Sequence, residues 1–198
     1  MKRYLISSIF LLACLVTMAP AFLPADELHV DKAASNRAAF TANFMGETFQ
    51  GATGKIDGYV FWKSTDTEKG TFVGSDIYFE VDLGALDTGI DMRNHHMREN
   101  YLHTEKYPYA GYKGRIVKSA KQGSREFLVE VEGVMTIHGA NKPLAVTGRV
   151  GVNGDRYRLT CTFPLGLRDF GIEIPSLMGM KVGEILTMDL DIALIKAK

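Results

Sequence analysis

At 198 residues, 46% hydrophobic and 23% charged, the chain has the make-up of an ordinary globular domain. Basic and acidic residues balance at 23 each, so no bulk positive charge points to nucleic acid. Two cysteines, Cys14 and Cys161, are too few for a disulfide scaffold.

The chain opens with Lys2 and Arg3, followed by a nearly unbroken apolar run over 4–18 and the small-residue triplet Ala19-Pro20-Ala21. That order predicts a secretory signal over 1–21, with Leu23-Pro24-Ala25 as a later cleavage point, and a mature domain over 26–198 in the periplasm. Leu11-Leu12-Ala13-Cys14 offers lipoprotein processing as the alternative, although Leu12 is bulky for that role and apolar sequence continues past Cys14. Cleavage leaves Cys161 as the one cysteine, read as a small buried hydrophobe because it alternates with Tyr157, Leu159 and Phe163.

Beyond the leader, apolar residues recur at every second position, the mark of strands with one buried face. Weak strands are expected over 37–44 and 48–63, the second bent by Gly51, Gly54 and Gly58. A clear strand has Ile77, Phe79, Val81 and Leu83 inward. The one helical segment is 91–104, which lacks glycine and could be capped by Asp87 or Asp91, with Met92 and His96 on one side. Further strands follow over 109–117, around Phe127, Val129 and Val131, over 144–152, around Tyr157 to Phe163, and from Leu186 to Leu194. Turns fall at Gly123-Ser124, Gly139-Ala140-Asn141 and Asn153-Gly154-Asp155. The sum is an all-β chain of about eight antiparallel strands closing into a barrel, with one short helix.

Four stretches carry a family resemblance. They are Leu86-Asp87-Thr88-Gly89 with Arg93-Asn94-His95-His96-Met97 and Tyr107-Pro108; Gly133-Val134-Met135-Thr136-Ile137-His138-Gly139 through Pro143; Arg168-Asp169-Phe170-Gly171-Ile172; and Val182-Gly183-Glu184. In this order and spacing they resemble the YceI-like family. The chain departs from it at Ser35-Asn36, at Asn141-Lys142 and at Tyr101-Leu102-His103. The resemblance implies a lipocalin-like barrel, exported, holding a long-chain isoprenoid or similar lipid and needing no cofactor.

On that reading the inward set Phe79, Val81, Phe127, Val129, Leu159, Phe163, Met188 and Leu190 lines the cavity, and each could equally be plain core. Met135, Met178 and Met180 add adaptable apolar surface. Arg93, Arg168 and Lys181 are the candidate contacts for a polar headgroup. Transient membrane contact fits such a ligand; monomer and homodimer both stay open.

Other chemistries are weaker. His95, His96 and His103 invite a metal, but a helix puts His96 and His103 about 10 Å apart and His95 on another face, so no metal is assigned. The match of His96 to the YceI-like block implies instead a structural hydrogen bond at the helix start. Nucleophile-elbow, phosphate-loop and dinucleotide motifs are missing from the sequence, so no catalytic residues are assigned and a non-enzyme is expected. A stress-response or redox accessory to a membrane cytochrome is the remaining alternative, compatible with the same pocket.

Overall fold

The alternation becomes a closed antiparallel wall. The computed structural model describes residues 26–62, 72–177 and 179–197; the expected secretory signal with its expected cleavage points, Cys14 and Met178 lie outside the described residues. The strands are β1 (Asp26–Val30), β2 (Arg37–Phe44), β3 (Glu47–Thr53), β4 (Ile56–Trp62), β5 (Asp76–Asp82), β6 (Tyr109–Lys121), β7 (Glu126–Ile137), β8 (Ala140–Asn153), β9 (Arg156–Gly166), β10 (Ser176–Leu177), β11 (Met180–Lys181) and β12 (Ile185–Lys196). From β4 to β9 each strand pairs with the next, and β9 pairs with β12.

Closure depends on β12, which pairs with β1 through Leu28–Val30 and with β2 through Arg37–Thr41. β1 pairs in turn with β4, and β2 with β3. β1 with β2, and β3 with β4, thus act as two interrupted staves, giving the eight-stranded barrel the sequence leads one to expect. At the interruption between β1 and β2 the ladder is continued by a side chain. The Asn36 amide nitrogen donates to the Asp31 carbonyl at 2.8 Å, and its oxygen accepts the Ala193 N–H at 2.8 Å. Asn36, one of the departures from the family pattern, therefore does a ladder residue's work.

Three local expectations change. The strand expected over 48–63 is two strands, broken at residues 54–55. Just beyond, Gly58 (φ +148°) lies so close to the Tyr78 carbonyl that any side chain would collide with it. The turn expected at 139–141 is instead the pair His138-Gly139, both left-handed (φ 52° and 78°), which returns Ala140 and Asn141 to β8. The helix is shorter: α1 covers Asp91–His96, and a π-helical turn, Met97–Tyr101, follows with the Leu102 N–H bonded to the Met97 carbonyl. Neither aspartate caps it; the N-cap position is Ile90.

The barrel's two ends differ. One carries residues 72–75, which lead into β5, and the tight turns β6–β7 and β8–β9. The other carries the β2–β3 turn, the helical segment between β5 and β6, the His138-Gly139 turn, and the β9–β12 connection with its 3₁₀ turn Leu167–Phe170 and the β10–β11 hairpin. We call this second end the lid end.

Candidate functional site

Interior packing is uneven along the barrel axis. Away from the lid an aromatic plug fills the lumen: Trp62 packs on Phe72 at 4.5 Å between centroids with the rings tilted by 36°, and Tyr157 and Phe127 meet this pair edge-on at 5.3 and 5.1 Å. Around it Leu28, Val60, Val129, Ile192 and Leu194 are fully buried. Towards the lid the inward positions are still apolar; Phe40, Ala42, Met135, Ile137, Phe163 and Leu165 are buried, whereas Val81 on β5, Tyr112 on β6, Leu144 and Val146 on β8, Leu159 and Cys161 on β9, and Leu186, Met188 and Leu190 on β12 are only half-buried. These half-buried side chains, packed at the edge of the buried clusters, are the candidate lining for a ligand in the lid half.

Two polar atoms interrupt this lining. Tyr112 donates its hydroxyl to the Leu144 carbonyl at 2.8 Å, its ring lying across Gly133. Burial, with lesser contributions from Cys161 and Glu132, pushes its pKa up to about 12. The Cys161 thiol is likewise pushed up to about 12, by burial first and the Asp189 charge second. Both groups stay neutral, and the lining carries no net charge.

The lid is fastened at both ends. At its start the buried Asn94 side chain accepts from the Thr88 N–H at 2.8 Å and the Thr88 hydroxyl at 2.7 Å, and donates to Asp87 Oδ1 at 2.7 Å. Asp87 also accepts the Gly89 N–H, and these bonds hold its pKa below the usual carboxylate range. Asp87 thus caps a turn, and Asn94, not His96, makes the structural bonds expected at the helix start. At the lid's far end, His103 Nδ1 and His138 Nε2 share a hydrogen bond at 2.7 Å, with the Tyr107 ring edge-on to His138. Between these fastenings Met97, Tyr101 and Leu102 face the lumen's apolar clusters. Met92, expected on the same side as His96, points outward at 70% exposure.

A model of the YceI-like domain matches residues 28–194. The chain belongs to the YceI-like family. It is similar to a UPF0312 protein of Vibrio cholerae, 27% identical over 171 residues, covering 82% of this chain and 86% of that protein. A UPF0312 protein of Pseudomonas putida is 29% identical over 157 residues, 75% of this chain and 74% of the relative. Among solved structures the fold is similar to BcnA of Burkholderia cenocepacia, with a TM-score of 0.66, 19% identity and coverage of 83% of this chain and 98% of that one. It is also similar to a polyisoprenoid binding domain from Saccharophagus degradans, with a TM-score of 0.64, 15% identity and coverage of 86% and 98%.

Within this YceI-like barrel the eight lining candidates separate into two groups. Phe79, Phe127 and Val129 sit in the cluster around the aromatic plug, and Phe163 packs with Leu165, Leu167 and Phe170 beneath the β9–β12 connection; all four are buried. Val81, Leu159, Met188 and Leu190 are half-buried and belong to the lid-half lining. Sequence reasoning missed Tyr112, Leu144, Val146 and Leu186. The available signal was period-2 spacing through Ala110, Tyr112, Gly114 and Ile116, blurred by glycine.

The headgroup candidates do not converge. Arg93 is turned onto the protein, donating to the Thr88 hydroxyl at 2.9 Å and carbonyl at 2.7 Å with its guanidinium 4.4 Å above the Phe49 ring. Arg168 pairs with Glu184 at 3.1 Å, and Lys181 stands exposed on β11. Met135 is buried core, while Met180 is exposed. Of the three clustered histidines, His95 pairs with Glu99 at 3.0 Å and His103 with His138. Among the described residues no three His, Cys, Asp or Glu side chains converge on one point.

Proposed function

We propose that the protein binds one long, slender apolar lipid of isoprenoid type in the lid half of the barrel, and carries or sequesters it in the periplasm without chemical change. The observation that carries this reading is the row of inward, half-buried apolar side chains above an aromatic plug. Space lined by leucine, valine and methionine offers water few partners and favours a hydrocarbon. A similar fold in a polyisoprenoid binding domain supports the ligand class.

The energetics are sufficient without polar recognition. About fifteen methylene equivalents at roughly 0.8 kcal/mol each give on the order of 12 kcal/mol, of which association costs remove about half. Micromolar or tighter binding follows from shape and hydrophobicity. Neutral Tyr112 and Cys161 add no desolvated charge that a lipid tail would have to cover.

The test is organic extraction and mass spectrometry of protein purified from its own host, beside a Leu190→Trp variant that fills the space. A stoichiometric isoprenoid, quinone or related lipid in the wild type and its loss in the variant are expected. Lipid-free wild-type protein, or equal lipid in both, would overturn the reading.

A further inference from the structure

The most exposed large apolar side chains of the described residues are Met92 (70%), Met45 (65%), Ile185 (63%), Tyr109 (53%) and Ile90 (52%). All five lie at the lid end, on four separate chain segments. Met45 forms the tip of the β2–β3 turn. Ile90 and Met92 begin the lid, whose Arg93 reaches over Phe49 of β3. Ile185 opens β12, close behind Gly183, whose N–H bonds to the Asn43 carbonyl of β2 at 2.7 Å. Tyr109 starts β6, where the lid segment rejoins the wall.

We propose that this rim is a docking surface for a lipid bilayer, set by its apolar side chains against the membrane so that ligand passes between bilayer and lumen. The inference rests on the lipid-binding reading above and names the partner of the same site. A ligand of that class has almost no concentration in water, so exchange requires the lid half of the lumen to face the membrane. Apolar residues spread around a rim suit a plane, whereas a protein partner calls for one contiguous patch. Flexible methionine, aliphatic isoleucine and an interfacial tyrosine are the side chains that insert to headgroup depth. Neighbouring rim charges are of both signs (Glu47, Asp91, Arg93, Lys181 and Glu184), so the attraction is apolar and does not select anionic lipid.

The test is flotation of the purified protein with neutral phosphatidylcholine vesicles. The wild type floats, and raising the salt leaves the bound fraction unchanged. The exposed triple substitution M45S/M92S/I185S weakens vesicle binding by roughly ten-fold or more, as does the single change Met92→Glu in smaller measure. F61S/V134S, which removes exposed apolar groups from the outer wall, has no effect. Thermal unfolding of each variant confirms that the fold persists. No flotation of the wild type, equal flotation of the triple variant, or binding abolished by salt would overturn the proposal. So would self-association through the rim without vesicle binding, which assigns the surface to a second copy. Extracting lipid from the same preparations separates the two readings: protein that holds lipid but does not float sinks only the docking surface, while lipid-free protein that floats sinks only the carrier.

Discussion

Tyr112 and Gly133 are matched across adjacent strands: a methyl on Gly133 would stand 2.8 Å from the Tyr112 ring carbon that bears the hydroxyl. The same methyl would lie 2.5 Å from the Lys113 carbonyl, a backbone atom that cannot step aside. Gly133→Ala should therefore destabilise the barrel by roughly 1–3 kcal/mol, as overpacking does. Tyr112→Phe, which removes the bond to the Leu144 carbonyl and the longer one to the Val131 carbonyl at 3.4 Å, should cost about 1 kcal/mol. Urea unfolding of the two variants measures the difference.

The lumen's two halves should respond oppositely to a larger side chain. On the lipid-binding reading Leu190→Trp enters ligand space and should stay within roughly 1.5 kcal/mol of wild type while abolishing ligand retention. Val129→Trp enters a filled region and should cost roughly 1–3 kcal/mol or more. Thermal unfolding and lipid extraction on both variants report the contrast, and equal destabilisation would contradict ligand space in the lid half.

High pH tests the dryness of the lining. Both Cys161 and Tyr112 have folded pKa values raised to about 12, above ordinary values of 9.0 and 10.0. A raised acid favours the fold only while the unfolded chain also keeps its proton, so this stability is complete below about pH 9 and declines as pH rises towards 12. C161A/Y112F should flatten that decline in denaturant titrations. Correspondingly, Cys161 should react slowly with alkylating reagents in the native protein and readily once unfolded.

The lid's two fastenings make separable predictions. Asn94→Ala removes three hydrogen bonds from a buried site and should loosen the lid's start by roughly 1–3 kcal/mol. It should also move the Asp87 pKa back up towards its ordinary range, since Asn94 helps to hold it down. Asp87's contribution to stability, present above the ordinary carboxylate range and lost as pH falls through its lowered value, should shrink in this variant. His138→Ala should leave the start intact and free the far end, speeding amide exchange over 97–107 and ligand release by up to roughly ten-fold.

Much of the wall was legible because outward charges fix the register. Asp76, Glu80 and Asp82 on β5 and Asp189 and Asp191 on β12 cannot face a core, and both strands emerged with the expected faces. β2 was legible to the residue. β1 escaped because five residues alternate too briefly to stand out, and β3–β4 merged because Gly54 reads equally as a bulge or a break. The site was less accessible. Spacing marked the inward positions but could not say which half of the lumen would be filled, since that depends on where Trp62, Phe72 and Tyr157 meet. His138 as partner of His103 lay 35 residues away, joined to it only by the fold.

One late strand, β12, is the one on which β1, β2 and β9 all depend. Until it is synthesised the opening strands have no neighbour on that side, and the greasy interior has no seal. Closure must therefore wait for β12, and pairing between segments so far apart in the chain is slow to nucleate. Any chain shortened before residue 185 should be a sticky, protease-sensitive ribbon, whatever lipid is supplied to it.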